Sequence, residues 1–310
     1  MNQSDRRWLS KHFGADVLFD EPMRRHTTFR IGGPADALLT VTSEEALRDV
    51  SLWASDKHHP IMILGAGSNL LVRDGGVRGL MIRLAGEFEE VQLMAGTNGG
   101  ASAKAGAAVL IRALSKHALD QDLAGLNFAL GIPGTVGGAL RMNAGAWGAC
   151  MADVTMSIRV LYRDGEIVSL PREELNFSYR KLELEKETII LSGQFRLVPT
   201  DPEALSEEAI QMQKKRRSSQ PLSLPSAGCV FRNPPGSKAA GELIEAAGLK
   251  GVRVGDAEVS TTHANFIVNR GHAKASEVIG LITRIRQAVF EASGVDLKPE
   301  VTIIGEEEGT

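Results

Sequence analysis

Residues 131–148 read GIPGTVGGALRMNAGAWG, with six glycines and three alanines in eighteen positions. So little side-chain volume leaves the backbone itself to lie against something large and polar, because glycine lets N–H groups approach a ligand closely. A diphosphate suits such a wall. A second small-residue stretch lies upstream, IMILGAGSNLLVRD at 61–74, where a short buried-strand pattern runs into Gly65, Ala66, Gly67, Ser68 and Asn69 before Leu70. Gly65-x-Gly67 lacks the third glycine of a Rossmann fingerprint, and no Gly-Lys-Ser/Thr follows it, so neither familiar phosphate loop is present. One Gly-x-Gly alone reads as a tight turn. Two glycine walls in one region call for a shared guest.

The bulk properties narrow the rest. A chain of 310 residues predicts two or three domains with a substantial core. A formal charge of -3 and a pI near 6.2 argue against general nucleic-acid binding while leaving room for a local basic patch. No window holds the roughly 18 consecutive apolar residues of a membrane span, and MNQSDRRWLSKHFG carries no apolar core of a signal peptide. Cys150 and Cys229 stand far apart and outside any zinc-binding spacing, so the expectation is a reduced, cytoplasmic protein without a structural disulfide or metal.

Taken in order, residues 1–22 form a lead-in, either a short helix or irregular. A strand over 37–41 then leads through a capping box at Thr42 and Glu45 into a helix with Leu47, Val50 and Trp53 on one face. His58 and His59 follow as exposed linker residues. Short strands are expected over 80–84, 89–93, 101–105, 157–162, 166–170 and 189–197, with a helix over 107–118. Asp164-Gly165 signals a hairpin with a type I′ turn. Composition breaks at Pro199-Thr200-Asp201-Pro202, and a charged helix over 203–217 ends in Lys214-Lys215-Arg216-Arg217, where cations either complement the helix dipole or meet a diphosphate. Helices over 242–247 and 275–292 and a strand over 265–269 complete an α+β chain, since strict βαβ alternation is missing.

Seven blocks then stand in a familiar order: HTTFRIGGPA from His26, LGAGSNLL from Leu64, GIPGTVGGA from Gly131, NAGA from Asn143, FSYR from Phe177, SAGCVFRNP from Ser226 and HANFIVN from His263. With them the chain, over about residues 23–304, resembles the family of UDP-N-acetylenolpyruvoylglucosamine reductases, in its shorter class. The resemblance implies an FAD-binding domain of the vanillyl-alcohol oxidase type over 23–198, in subdomains of about 23–60 and 61–198. It implies an α+β substrate-binding domain over 199–310 whose last residues return to the first. Noncovalent FAD would have its diphosphate between the Gly65, Ala66, Gly67, Ser68, Asn69 and Leu70 turn and the wall of Gly131, Pro133, Gly134, Thr135, Gly137, Gly138, Ala139, Asn143 and Gly145. NADPH would be co-substrate, and UDP-N-acetylglucosamine enolpyruvate the substrate, in a monomer that meets neither nucleic acid nor membrane.

The family's reaction delivers hydride to the enolpyruvyl group and leaves negative charge beside a carboxylate, so it needs cationic stabilisers and an acid. Arg180 matches the family's catalytic arginine, able to fork onto a carboxylate. Lys181-Leu182 replace the Asp-Ser that often follows it, which touches a supporting contact. Glu300 matches the catalytic glutamate and is expected to have a raised pKa in the complex. Cys229 stands where the best-known members carry a proton-donating serine; an ordinary thiol, with a pKa of about 8.5, is the more readily ionised acid. Tyr179, Arg180, Lys215, Arg232 and Asn233 are the substrate-binding candidates, with Arg216 beside them. His263 and Asn265 either position the flavin or cap a strand, and Glu306, Glu307 and Glu308 read as solvated charge. Two other readings stand beside it: an oxygen-using oxidase of the same superfamily, which keeps the flavin fold, and, as a different class altogether, a nonenzymatic FAD- or nucleotide-binding protein.

Overall fold

A computed structural model describes residues 1–96 and 99–309. The first sheet runs in the order Val17–Pro22, Pro34–Val41, Val77–Leu84, Ile61–Ile63; its first pair is antiparallel and the others parallel. Helix Glu44–Asp56 makes the crossover and buries Leu47, Val50 and Ala54. Its cap is Ser43, whose hydroxyl accepts from the Ala46 N–H at 3.2 Å, and not Thr42. The cap must sit three residues before a free N–H, and Ser43 supplies that one.

Residues 1–22 take the short-helix form of the two expected and belong to this layer. Helix Gln3–Phe13 precedes the edge strand Val17–Pro22, and its Trp8 stacks on Trp53 with centroids 4.4 Å apart. His59 is no exposed linker either: its Nε2 meets the buried Asp5 carboxylate at 3.0 Å. Burying a carboxylate demands such a partner, and Asp5 finds it 54 residues away.

The second sheet is antiparallel throughout, in the order Ile167–Pro171, Thr155–Leu161, Ile189–Pro199, Ala101–Gly106, Val91–Ala95, with Leu123–Ala124 also on Ile189–Pro199. Its hairpin turn differs from the expected type I′. Only Gly165 takes positive φ, +86°, and Gly165 N–H donates to Tyr162 O while Tyr162 N–H donates to Glu166 O. That is a three-residue loop closed by a glycine bulge, which spares Asp164 the left-handed region. Helix Ile111–Leu119 starts later than expected because Leu110 is held in a bridge to Thr135.

Helix Pro202–Ser219 buries only Leu205 and Ala209 and hands the chain to the C-terminal unit. There a small sheet of Arg253–Val254, Ala257–Val259 and Ile267–Asn269 is covered by helices Ala240–Ala246 and Ala275–Ser293. The latter buries Val278, Leu281, Ile282, Ile285 and Val289 on one stripe and stops at Gly294, in the left-handed region at φ +71°. Each such side chain contributes about 1.5–3 kcal/mol on burial. This core also takes in Phe29, Ile31 and Leu71 from the N-terminal part, so the two units share apolar packing.

The chain then turns back. Strand Thr302–Ile304 pairs in parallel with Leu70–Val72, directly after the first glycine turn. Beyond it Glu306, Glu307 and Glu308 are ion-paired with Arg78, Arg73 and Lys274 at 3.5, 2.6 and 3.7 Å. They are exposed, as expected, but they are not merely solvated.

Candidate active site

The two glycine walls touch. Ser68 Oγ donates to Pro133 O at 2.8 Å, and a Cβ on Gly65 would stand 2.8 Å from Thr135 Oγ1. Gly67, at φ +62°, comes so near His26 that an added Cβ would lie 2.2 Å from its carbonyl oxygen. Several of these glycines are thus required by the chain's own packing. Gly131 lies against Arg216 Cδ, Gly137 against Ala107, and Gly145 against Ala149 O. Gly138 is different, for a side chain there would meet only Thr135 Oγ1, at 3.6 Å.

Backbone donors tell which part of the walls is open. Val136 N–H donates to Val109 O, Gly137 to Ala107 O, Ala139 to Thr135 O and Gly138 to Thr135 Oγ1. The N–H groups of Ala66, Gly67, Ser68, Gly134 and Thr135 have no acceptor among the described residues. These five, from both walls, fit the phosphate oxygens of a dinucleotide. Gly137, Gly138 and Ala139, read as part of that cradle, have their N–H groups committed within the chain. Asn143 is likewise spent: its Nδ2 donates to Ser178 O at 2.9 Å and its Oδ1 accepts from Ala152 N–H at 3.0 Å.

Above this cradle three segments converge. Tyr179 and Arg180 form the tip of the hairpin Asn176–Ser178/Lys181–Glu183, with Arg180 at φ +58°. Arg180 Nη1 donates to Gly145 O at 3.1 Å, and its guanidinium lies 5.4 Å from the Tyr179 ring centroid. Arg180 Nε is 2.9 Å from Glu300 Oε1, an ion pair whose N–H is not directed at an acceptor. Among the described residues, that buried N–H has no hydrogen-bond partner, and neither do Arg232 Nε and Gln220 Oε1. Orphaned buried groups of this kind are costly unless a ligand meets them.

Cys229 lies in an antiparallel bridge with Phe266, and the next residues are fixed by Asn265, which exchanges hydrogen bonds with Phe231 N–H and O. Burial pushes the Cys229 thiol up to about 11, with the Glu300 charge adding to the rise and Arg180 and Arg216 opposing it. The thiol is therefore held protonated at neutral pH, a less ready acid than an ordinary cysteine. Burial also raises the Glu300 carboxyl above its usual range, against the pull of Arg180 and Arg232. Arg180, Cys229 and Glu300 thus sense one another's charge. A cavity of about 180 Å³ lined by Ser51, His59, Tyr162 and Arg163 includes none of them.

The other candidates divide. Arg216 lies against Gly131 and senses Cys229, while Lys215 Nζ stands over the ring of Trp147, at the far end of the same stretch, 5.3 Å from its centroid. Asn233 Oδ1 caps helix Ala240–Ala246 through Ala240 N–H at 3.0 Å. Asn265 is a bracket for the Cys229 segment, and His263 Nδ1 accepts from Asn265 N–H. Gln220 and Trp147 were not singled out by the sequence. Trp147 lay within the glycine stretch and was readable there as an exposed aromatic at a turn; Gln220 carried no signal.

Both walls lie inside residues 35–171, which match the FAD binding domain family, so the molecule is built as a flavoprotein. Residues 220–304 match the C-terminal domain of UDP-N-acetylenolpyruvoylglucosamine reductase. Proteins of that name from Rubrobacter xylanophilus and Syntrophus aciditrophicus are 46% and 43% identical over 290 and 291 residues, covering 93% and 94% of this chain and 95% and 93% of theirs. The crystal structure of the enzyme from Thermus caldophilus superposes with a TM-score of 0.80 at 37% identity, over 93% of this chain and 98% of that one. This chain belongs to the UDP-N-acetylenolpyruvoylglucosamine reductase family, with FAD as cofactor.

Proposed function

We propose that this chain reduces UDP-N-acetylglucosamine enolpyruvate to UDP-N-acetylmuramate with NADPH, and that Arg180, Cys229 and Glu300 carry the chemistry. The convergence of these three groups from distant segments onto one spot beside the glycine walls supports the reading. Residues 23–198, joined by the edge strand and helix of residues 1–22, form the FAD-binding domain and 199–309 the substrate-binding domain, with the last strand returning. Ala66, Gly67, Ser68, Gly134 and Thr135 hold the diphosphate through their N–H groups.

Bound FAD supplies hydride transfer from NADPH to the enolpyruvyl group. The chain's residues do the rest. Arg180 holds the substrate carboxylate and stays charged while negative charge grows on the adjacent carbon. Glu300, inclined to protonation by burial, hydrogen-bonds the same group, and the Cys229 thiol gives its proton to that carbon. Arg216 offsets the charge left on sulfur. Arg232 Nε and Gln220 Oε1 meet polar atoms of the substrate.

The test is anaerobic stopped flow on purified holoprotein. Flavin absorbance bleaches with NADPH and returns on adding the enolpyruvyl sugar. Return with oxygen alone, at the same rate, points to an oxidase instead, and no bleaching points to a binding protein.

A further inference from the structure

The peptide that carries Glu300 is gripped from two sides. Toward the C-terminal unit, Glu300 N–H donates to Val230 O at 2.7 Å, and Phe231 forms a bridge with Pro299. Toward the first glycine turn, Asn69 Nδ2 donates to Glu300 O at 3.2 Å, while Asn69 O accepts from Thr302 N–H at 3.0 Å. Asn69 thus clamps residues 300 and 302 from both ends of its own residue, and Leu70 opens the parallel pairing that follows. Its amide nitrogen also lies 3.7 Å from Met142 Sδ, so the side chain is occupied within the protein.

We propose that Asn69 is the positioning residue for Glu300, fixing the carboxyl through the peptide it sits on, and that its side chain serves the acid cluster instead of the cofactor. This rests on the role given to Glu300 above. The reasoning is geometric. Among the described residues Glu300 has no side-chain donor besides the Arg180 ion pair to orient it. Its placement therefore passes through its backbone, and among the described residues Asn69 supplies the one side-chain hydrogen bond to its carbonyl. A displacement of about 1 Å at a catalytic group costs on the order of 10²-fold in rate.

A double-mutant cycle tests it, read on the two half-reactions of the holoenzyme. Asn69→Ala should slow reoxidation by the enolpyruvyl sugar roughly 10- to 100-fold, and slow reduction by NADPH at least about 10-fold less. In the Glu300→Gln background the same change should cost under about 2-fold, because the group being positioned is already disabled. Hydrogen exchange of the peptide spanning residues 299–304 should rise roughly 5-fold or more in Asn69→Ala.

An undiminished loss in the Glu300→Gln background, or a rise in flavin Kd that accounts for the loss, assigns the side chain to the cofactor and overturns the proposal. Should Glu300→Gln alone leave reoxidation at the wild-type rate, the reading of Glu300 fails; unchanged exchange at 299–304 then refutes the clamp separately. Asn69→Asp, which keeps the size but removes the donor, serves as the second variant if the alanine protein does not fold.

Discussion

The glycine walls and the charged cluster above them are built on opposite terms. The walls are nearly side-chain-free, and although five of their N–H groups stay open their shape is dictated by the chain itself: Gly67 against His26, Gly65 against Thr135, Ser68 bonded to Pro133. The cluster is assembled from long side chains of a hairpin tip, a loop and a returning strap, and it keeps polar atoms of Arg180, Arg232 and Gln220 unmet. A surface whose shape is settled by its own packing is ready before a ligand comes. A group of buried charges with unmet hydrogen bonds is completed only by what binds there.

The sharpest way to break that contrast is Cys229→Ala. It should slow reoxidation by the enolpyruvyl sugar about 10²–10⁴-fold, the usual worth of a general acid, while bleaching by NADPH persists. Cys229→Ser should retain much of the rate, and equal turnover in the alanine variant would remove the donor assignment. Arg180→Met should cost about 10²–10³-fold in the same step, as loss of an oxyanion stabiliser does; a larger effect on NADPH reduction than on reoxidation would move Arg180 out of this role.

The pH dependence of stability gives a smaller effect. The Cys229 pKa is about 11 in the folded chain, above its unfolded value, so folding favours the protonated thiol. That stability is full at neutral pH and is lost as pH rises from roughly 8.5 through 11, amounting to about 3 kcal/mol or a little more. Urea titrations of wild type and Cys229→Ser between pH 8 and 10.5 should diverge in that direction; parallel curves would contradict the burial.

Within the walls, Gly67→Ala should cost about 1–3 kcal/mol and lower Tm, since it adds left-handed strain to a backbone clash. Gly138→Ala, with open space above it, should leave Tm within a degree or two or raise it, as alanine does in a helix. If both variants melt alike, the walls are not shaped by their own packing.

Much of this was legible in the sequence because it is local. Both glycine walls, the crossover helix and the stripe of Ala275–Ser293 follow from spacing and residue type. The family blocks singled out Arg180 and Cys229, and the match at Glu300 added the third group of the proposed site. What could not be read depends on partners far along the chain. The N–H groups of Val136 and Gly137 look like phosphate donors until Val109 O and Ala107 O take them. Asn143 looks like a cofactor ligand until Ser178 and Ala152 claim both ends of its amide. Lys215 and Arg216 differ by a 100° step around one helix, and the partners that separate them, Trp147 and Gly131, lie far back along the chain. His59 gave no sign of Asp5.

The returning strand has a consequence for how the molecule is made. Leu70–Val72 leaves the ribosome early, yet its parallel neighbour Thr302–Ile304 is translated 232 residues later. At about 5–20 residues per second that is a wait on the order of 10–50 s. Throughout it, the segment just past the first glycine turn has an open edge, and the carboxylic acid of the cluster does not yet exist. A newly made chain therefore acquires its acid and closes that edge in one event, once residues 300–304 have emerged.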